Sequence, residues 1–323
     1  MSVATDSTLR ETTVNENSST TMTVAISGAT GLVGQALSLR FQSRGDRVLS
    51  ITRRDGDGFD DSVRWDPSTG LVNPARLEGI DAVVHLAGEN IAGGRWTDSL
   101  KKRLRSSRIQ GTRSLVESLS KLKHRPRTLV CASAIGYYGD RGDAALTEDA
   151  SAGNGFLPDL CRDWEAEAIK AEELGMRVVC VRIGIVLSPK GGALAKMMLP
   201  FKAGVGGNIG AGDQFWSWIG LNDLARVLEF CVDNQQLTGP VNAVSPNALT
   251  NAEFTRNIGA VLHRPTIFPL PAFMAKLVLG EMANELLLAS ARVVPQKLLK
   301  AGFKFEHPEL ASCLKHELQL KES

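Results

Sequence analysis

Short apolar runs alternate with amphipathic stretches between Met22 and Leu187. The runs are rich in β-branched residues and hardly interrupted, which is typical of strands covered on both faces of a parallel sheet. The stretches between them repeat apolar residues at helical spacing, so we predict crossover helices there. The predicted strands read TVAISG, RVLSITR, DAVVHLAG, TLVCASA and RVVCVRIG. This order predicts an α/β fold, a doubly wound parallel sheet of the Rossmann type.

The pattern changes after Leu187. Glycine-rich loops come first, followed by a predicted helix from Asn222 to Asp233 and one more strand, GPVNAVS. We therefore divide the chain into a disordered tail at 1–21, a Rossmann domain at 22–187, and a smaller, mostly helical lobe at 188–323. Residues 222–245 of that lobe are expected to return to the sheet.

Two segments test for targeting or membrane insertion. The tail is dominated by Ser and Thr, carries three acids and lacks an apolar run, so it does not predict a secretory signal. An organelle transit peptide is a weaker alternative. The apolar stretch near the other end is interrupted by Lys276, Glu281 and Glu285. None of its uninterrupted runs reaches the roughly 20 apolar residues that a helix needs to span a bilayer. It predicts packed helices and no membrane partner.

Charge and cysteine content narrow the class of protein further. Lys plus Arg number 37 and Asp plus Glu 35, so the formal charge is +2 and gives no strong field for nucleic acid. The five cysteines are scattered, with no CxxC pair and no metal-type clustering with histidine. We expect reduced thiols, a cytoplasmic location, no metal site and a small-molecule substrate.

The first strand runs into a glycine turn, Gly28-Ala29-Thr30-Gly31-Leu32-Val33-Gly34, and then into a helix. Glycine lets the backbone turn sharply and approach a pyrophosphate, to which the following helix presents free N–H groups. The alternative is a tight turn that binds nothing, but the strand and helix on either side favour the dinucleotide site. The predicted cofactor contacts in the turn are Gly28, Thr30, Gly31, Leu32, Val33 and Gly34.

The end of the second strand predicts which dinucleotide binds. An acid there would hold the ribose 2′-hydroxyl of NAD, whereas this chain has Arg53 and Arg54 before Asp55. An arginine pair can bind a 2′-phosphate bidentately, so we predict NADP(H) in preference to NAD(H). The alternative is that both arginines are solvated loop residues. The Rossmann domain at 22–187 is therefore the predicted NADP-binding domain, and 188–323 the substrate-side lobe.

The chain resembles extended short-chain dehydrogenases/reductases of the NAD(P)-dependent epimerase/dehydratase group. The motifs HLAGENIAGGRW, SAIGYYGD and LGEMANELLLAS are similar to a nucleotide-sugar epimerase branch of that group, and the likeness covers nearly everything after Thr21. The resemblance implies that Leu86, Ala87 and Gly88 form a further wall of the cofactor site. It also implies a substrate such as a sugar nucleotide and, by analogy with the superfamily, a homodimer.

The same resemblance implies a catalytic Ser or Thr and a Tyr-x-x-x-Lys pair. Ser133 stands near the first position, although alignment on the following tyrosines would place Ala134 there. The pair is missing, because Leu160 and Trp164 stand nearest the two positions. Tyr137 and Tyr138 are the only tyrosines in the chain, so either is a candidate proton carrier beside Ser133.

Candidate substrate contacts follow the strands at the same edge. Directly after the third predicted strand come Glu89, Asn90, Arg95 and Trp96. Further along, the resemblance points to Arg182 and to an aromatic face on Trp216 or Trp218, which could stack on a sugar or base. Asp223 is expected to cap the next helix, and Gly220 stands where many relatives carry histidine.

Two functions remain open from the sequence. The first is an NADP(H)-dependent oxidoreductase or nucleoside-diphosphate-sugar epimerase that acts at a hydroxyl or carbonyl carbon. The second is a non-catalytic NADP-binding regulatory or assembly protein, which the missing Tyr-x-x-x-Lys pair suggests.

Overall fold

The computed structural model describes residues 21–53, 61–71 and 73–320. The predicted tail, apart from Thr21, and the predicted contact Arg54 lie outside these ranges. The strands are β1 (Thr23–Ser27), β2 (Arg47–Thr52), β3 (Ser62–Asp66), β4 (Gly70–Leu71), β5 (Ala82–His85), β6 (Thr128–Ala134), β7 (Ala145–Leu146), β8 (Arg177–Ile183), β9 (Ile185–Ser188), β10 (Phe215–Trp216), β11 (Trp218–Gly220), β12 (Gly239–Ala243), β13 (Leu249–Thr250) and β14 (Arg292–Val293).

Eleven α-helices connect or cover these strands within the described residues. They are α1 (Leu32–Ser43), α2 (Asp98–Arg105), α3 (Gly111–Ser120), α4 (Phe156–Ile169), α5 (Gly192–Lys202), α6 (Leu221–Asp233), α7 (Asn251–Leu262), α8 (Ala272–Leu279), α9 (Glu281–Ala283), α10 (Gln296–Lys300) and α11 (Leu310–Glu317). A π-helical turn, Ser106–Gln110, joins α2 to α3, and a second one, Asn284–Leu288, follows α9.

The main sheet has eight strands in the order β12-β8-β6-β5-β1-β2-β3-β4. All neighbouring pairs are parallel except β3 and β4, which are antiparallel. The six predicted strands correspond to β1, β2, β5, β6, β8 and β12, so the predicted Rossmann-type α/β fold is confirmed. The chain order reverses between β1 and β5, which is where ligands bind in sheets of this kind.

Helices cover both faces of this sheet, which explains why its strands are apolar throughout. On one face, α3 and α4 bury Leu115 and Trp164 against the strands. On the other, α1 buries Phe41, and α6 buries apolar residues at helical spacing, among them Leu224 and Leu228. The exclusion of water from both faces drives the assembly of the layers.

A second apolar cluster belongs to the smaller lobe. Helices α5, α7 and α11 pack there around Trp216, Trp218 and Phe254, all of them buried. Part of the lobe returns to the main sheet, because β12 pairs with β8 and α10 packs against β12. The second lobe therefore contributes the strand at one end of the main sheet.

The small lobe also completes α4. Gly155 precedes this helix and has no side chain to cap it, and the carboxylate of Glu285 accepts hydrogen bonds from the N–H groups of Phe156 (3.0 Å) and Leu157 (2.7 Å). The negative charge also faces the positive end of the helix dipole. A residue of the second π-helical turn thus serves as the missing cap.

Candidate functional site

The glycine turn after β1 has a backbone that side chains would obstruct. Gly28 has φ of +73°, and a Cβ on it would lie 3.0 Å from the nitrogen of Ala87. A Cβ on Gly34 would lie 2.2 Å from the carbonyl oxygen of Gly28, closer than any real contact. The turn is thus packed tightly between α1 and the residues that follow β5.

The N-terminus of α1 is open to an anion. Gly31 is its cap residue, no described side chain caps it, and its first turn carries no acid. The first N–H groups of a helix have no partner within the helix and carry the positive end of its dipole. These features fit a pyrophosphate, which is the group that the sequence predicts at this turn.

A buried Ser–His pair supports the wall on the other side of the turn. Ser27 and His85 face each other in the parallel register of β1 and β5, and Ser27 Oγ lies 2.7 Å from His85 Nδ1. The same Oγ accepts the N–H groups of Leu86 (3.1 Å) and Ala87 (3.2 Å), so its own hydrogen is directed at Nδ1. The predicted cofactor wall is therefore held by two residues that the sequence analysis did not single out.

The His85 ring is fully buried, and burial lowers its pKa from 6.5 to about 4. The ring is therefore neutral at pH 7, with its proton on Nε2 because Nδ1 accepts from Ser27. Nε2 has no hydrogen-bond partner among the described residues, and the ring meets Trp65 edge to face at 5.6 Å. Polar residues at paired strand ends were the signal in the sequence that could have revealed this support.

Arg53 lies at the same edge of the sheet. In the parallel register of β1 and β2, Ser27 pairs with Ile51. Arg53 comes two residues after Ile51, so it lies beside the start of the glycine turn, which begins directly after Ser27. Its side chain is exposed. The position suits a group that meets the adenosine end of a bound dinucleotide.

A buried polar network lies behind the end of β6. Ser133 donates to Glu165 at 2.6 Å, and Glu165 accepts two bonds from Arg182, both 2.8 Å long. Although burial opposes the charge of Arg182, its hydrogen bonds to Glu165 raise its pKa above the ordinary value. Arg182 also donates to the Tyr138 hydroxyl at 3.0 Å, and that hydroxyl donates to Asn242 at 2.7 Å.

The two tyrosines have different environments. Tyr138 is 0% exposed, and burial raises its pKa to about 12, which argues against its predicted role as proton carrier. Tyr137 is half-buried, its ring centroid lies 3.5 Å from the Arg182 guanidinium carbon, and its hydroxyl bonds to no described residue. Ser133 is also buried and its hydrogen is directed at Glu165, so it would have to turn before it could donate to a substrate.

Comparison with known proteins agrees with this geometry. A model of the NAD dependent epimerase/dehydratase family matches residues 24–243. The chain belongs to this family. A second model, described as a domain of unknown function (DUF1731), matches residues 270–317.

Individual epimerase-family relatives match most of the chain. Epimerase family protein Mb2239 of Mycobacterium bovis is 42% identical over 291 residues, which cover 90% of this chain and 96% of that protein. The crystal structure of human epimerase family protein SDR39U1 with NADPH has a TM-score of 0.84 at 35% identity and covers 93% of this chain and 100% of the human one. A nucleoside-diphosphate sugar epimerase from Corynebacterium glutamicum has a TM-score of 0.77 at 35% identity, covering 92% of this chain and 58% of that one.

This epimerase-family chain departs from the Tyr-x-x-x-Lys pattern in its structure as well as in its sequence. Leu160 and Trp164 are both buried on α4. Lys170 does not replace the missing lysine, because its ammonium bonds to Glu167 at 2.7 Å after the end of α4. A proton relay at this site would therefore come from residues on other elements.

Several predicted substrate contacts are corrected by the structure. Trp96 is 8% exposed, packs against Phe156 and donates to the Ile91 carbonyl, so its ring is part of a small core. Trp218 is 0% exposed and belongs to the core of the second lobe, and Arg182 is held by the buried network. None of these three side chains presents a surface to a substrate.

The remaining predicted substrate contacts lie in the loop after β5. Asn90 is exposed and its Oδ1 accepts the N–H of Ala92, which shapes the loop. The side chain of Glu89 lies 3.6 Å from Arg103, and Arg95 reaches the Leu277 carbonyl at 3.4 Å. This loop therefore spans from the end of β5 to the second lobe, and its role toward a substrate stays a prediction.

Two expectations at α6 change as well. Asp223 does not cap its own helix, because its carboxylate accepts the N–H groups of Glu306 and His307, both at 3.0 Å. A Cβ on Gly220 would lie 2.7 Å from the Cys313 sulfur, so a larger residue would not fit at this position without a shift of α11.

The described residues contain no helix long and apolar enough to cross a membrane. Nor does the described part of the chain place three or more His, Cys, Asp or Glu side chains where they could hold a metal ion. All five cysteines are buried free thiols, and burial raises the pKa of each one above its ordinary value. A thiol with a raised pKa is a poor nucleophile at pH 7.

Proposed function

We propose that this protein is an NADP(H)-dependent oxidoreductase or nucleoside-diphosphate-sugar epimerase that acts at a hydroxyl or carbonyl carbon. The observation that carries the proposal is the uncapped α1 N-terminus in a glycine turn that touches the wall after β5. Bound NADP(H) would supply or accept the hydride. The turn, Arg53 and the backbone at Leu86–Gly88 would hold it.

The choice of NADP(H) over NAD(H) rests on two supports. Arg53 lies at the edge where the adenosine ribose of a dinucleotide is expected, and a guanidinium suits a 2′-phosphate. The human relative, 35% identical, was crystallised with NADPH. The nucleotide-sugar substrate class is supported by the resemblance to the Corynebacterium glutamicum epimerase.

Tyr137 is the residue that we assign to proton transfer. Its hydroxyl is free of described partners, and the charge of Arg182 lies against its ring. A hydroxyl placed there could exchange a proton with a substrate hydroxyl while hydride moves to or from the cofactor. Arg182 would act as a positioning residue, since its two hydrogen bonds to Glu165 fix its guanidinium.

The first experiment measures cofactor binding by titration of tryptophan fluorescence. Wild-type protein should bind NADPH more tightly than NADH, and Arg53→Ala should weaken NADPH by about tenfold while NADH changes little. An unchanged NADPH to NADH ratio in the variant would contradict the 2′-phosphate contact. Failure of the wild type to bind either dinucleotide would refute the proposed function.

The second experiment follows hydride transfer from NADPH deuterated at C4 to sugar nucleotides, quinones and small carbonyl compounds, read by mass spectrometry. Tyr137→Phe should lower kcat by a factor on the order of 10² or more with little change in NADPH affinity. Tyr138→Phe is the matched control, because its buried hydroxyl bonds only to Arg182 and Asn242 among the described residues. Equal losses in the two variants would contradict the assignment.

The non-catalytic alternative also has an observation in its favour, the burial of Leu160 and Trp164 where the relay is expected. On that hypothesis the protein binds NADPH but transfers no hydride to any compound tested. A Tyr137→Phe variant would then keep full biological activity in a deletion strain. Loss of that activity with intact NADPH binding would favour the enzyme.

A further inference from the structure

Helix α8 presents its large apolar side chains to solvent. Phe273 is 70% exposed, Leu277 72% and Val278 66%, and together with Met274 they form one side of the helix, which we name the α8 face. Ala275, on the opposite side, is buried against the protein. The polarity of α8 is therefore the reverse of that of an ordinary surface helix.

Helix α3 shows the ordinary arrangement for comparison. It buries Leu115 and Leu119 against the sheet and exposes the charged side chains of Arg113 and Glu117. Surface helices usually turn such a polar side to water, because apolar surface in contact with water is unfavourable. The α8 face thus has the composition of a packed surface, and within the described residues nothing covers it.

The segment before α8 extends the same apolar surface. Ile267, Phe268 and Leu270 are 72%, 54% and 37% exposed, and the Leu270 N–H donates to the Asn208 carbonyl at 2.7 Å, which fixes the segment on the second lobe. Residues 267–278 hold seven of the thirteen large apolar side chains that are exposed in the described part of the chain. Exposure is therefore concentrated at one place, unlike the scattered apolar residues of most surfaces.

The exposed area equals one side of a stable protein–protein interface. The seven exposed fractions lie between 37% and 72%. With about 200 Å² of surface for each residue, they amount to roughly 800 Å². The largest apolar patch of a typical monomer covers about 300–600 Å². A standard interface buries about 800 Å² on each partner, so the patch is as large as a dimer requires.

The α8 face is suited to an identical helix. Phe273 and Leu277 form one ridge at i, i+4 spacing, and Met274 and Val278 form a second ridge beside it. Ridges of this spacing on two helices interdigitate in the commonest class of helix packing. Lys276 is the one charged residue of α8 and lies between its exposed and buried sides. A two-fold pair therefore brings no like charges together at its centre.

We propose that two copies of this chain form a two-fold homodimer in which their α8 faces pack against each other. The proposal does not depend on the cofactor. Helix α8 is fixed before association, since Arg95 donates to the Leu277 carbonyl at 3.4 Å and Leu279 packs on the small core around Trp96, so little conformational entropy is lost. An anionic bilayer is less well matched, because the whole chain carries a charge of only +2.

The test is sedimentation velocity of the full chain at concentrations from about 1 to 100 μM, the range in which interfaces of this size begin to associate. Wild-type protein should sediment as a dimer at the higher concentrations. Phe273→Glu and Leu277→Glu place an unpaired charge in the interface twice and should each raise the dissociation constant by about 100-fold or more. Leu39→Glu, at a leucine of α1 that is 67% exposed, is the matched control and should change it by less than about twofold.

A second measurement locates the interface without disrupting it by charge. All five native thiols are buried, so Leu277→Cys introduces an accessible one. Its reaction with a maleimide should slow by about tenfold when the protein concentration is raised from far below to far above the dissociation constant, because only the monomer reacts. Leu39→Cys should react at the same rate at both concentrations.

Each outcome decides for or against the dimer. A wild type that stays monomeric at about 100 μM overturns the proposal. A dimer that persists in Phe273→Glu and Leu277→Glu, with the thiol of Leu277→Cys still reactive, also overturns it and places the interface elsewhere. Monomeric wild type that co-sediments with vesicles of phosphatidylglycerol and phosphatidylcholine, and loses that binding in Leu277→Glu, would assign the α8 face to a lipid surface instead.

Discussion

Acidification should destabilise this protein through a single buried imidazole. His85 is 0% exposed, and its folded-state pKa of about 4 lies below the ordinary 6.5. Between these two pH values His85 is protonated in the unfolded chain and neutral in the folded protein. The associated stability is therefore complete above about pH 6.5 and is lost as the pH falls toward 4.

The size of the effect follows from the two pKa values. One pKa unit corresponds to about 1.4 kcal/mol, so the limiting loss is about 3 kcal/mol and the loss at pH 5 is about 2 kcal/mol. Protonation at Nδ1 would also oppose the hydrogen that Ser27 directs at it. Since Ser27 holds the Leu86 and Ala87 N–H groups, NADPH affinity should fall in the same pH range.

Urea unfolding at pH 7.5 and pH 5.0 tests the reasoning in the wild type and in His85→Asn, whose amide can still face Ser27. The variant should be less stable at pH 7.5 but should lose about 2 kcal/mol less than the wild type on acidification. His124→Asn, an exposed histidine, is the control and should behave as the wild type does. Parallel losses in the wild type and His85→Asn would refute the assigned pKa and its cause.

Three other substitutions have defined outcomes. Gly34→Ala places a Cβ 2.2 Å from the carbonyl oxygen of Gly28, so the turn cannot keep its shape. Either the yield of folded protein should collapse on purification, or the purified variant should show no NADPH binding by isothermal titration calorimetry. Glu165→Gln leaves Arg182 buried without its charge partner and should lower the free energy of unfolding in urea by about 3–5 kcal/mol. Glu167→Gln should lower it by less than about 1 kcal/mol, because its partner Arg113 is 49% exposed. Equal losses in the two variants would contradict the burial argument. Glu285→Ala removes the cap of α4 and should lower the melting temperature by about 2–4 °C, corresponding to about 1 kcal/mol, and an unchanged melting temperature would show that the cap is dispensable.

The sequence predicted the parts of the fold that depend on neighbouring residues. The six predicted strands are mostly apolar runs, and the glycine turn is defined within Gly28–Gly34, because both features depend on local chain geometry. β3 was missed, since its two buried apolar residues, Val63 and Trp65, alternate with polar or charged ones and do not form an apolar run. The short strand pairs of the second lobe carry no such pattern either.

The side chains around the site were harder to place, because their surroundings come from distant parts of the chain. Trp96 and Trp218 have aromatic rings of the kind that stack on ligands, but both are buried. Their packing partners come from distant parts of the chain, and no local pattern reveals them. Arg182 looks like a substrate contact until Glu165, on another element, is seen to neutralise it. Ser27 and His85 illustrate the opposite error, since ordinary strand residues turned out to hold the cofactor wall.

The cap supplied by Glu285 has a consequence for biosynthesis. The carboxylate that completes the first turn of α4 is added to the chain 129 residues after Phe156. At about 5–20 residues per second, a ribosome needs roughly 6–26 s to make that stretch. During this interval the N–H groups at the start of α4 depend on water, so this helix of the nascent Rossmann domain lacks its cap until that part of the second lobe has been synthesised.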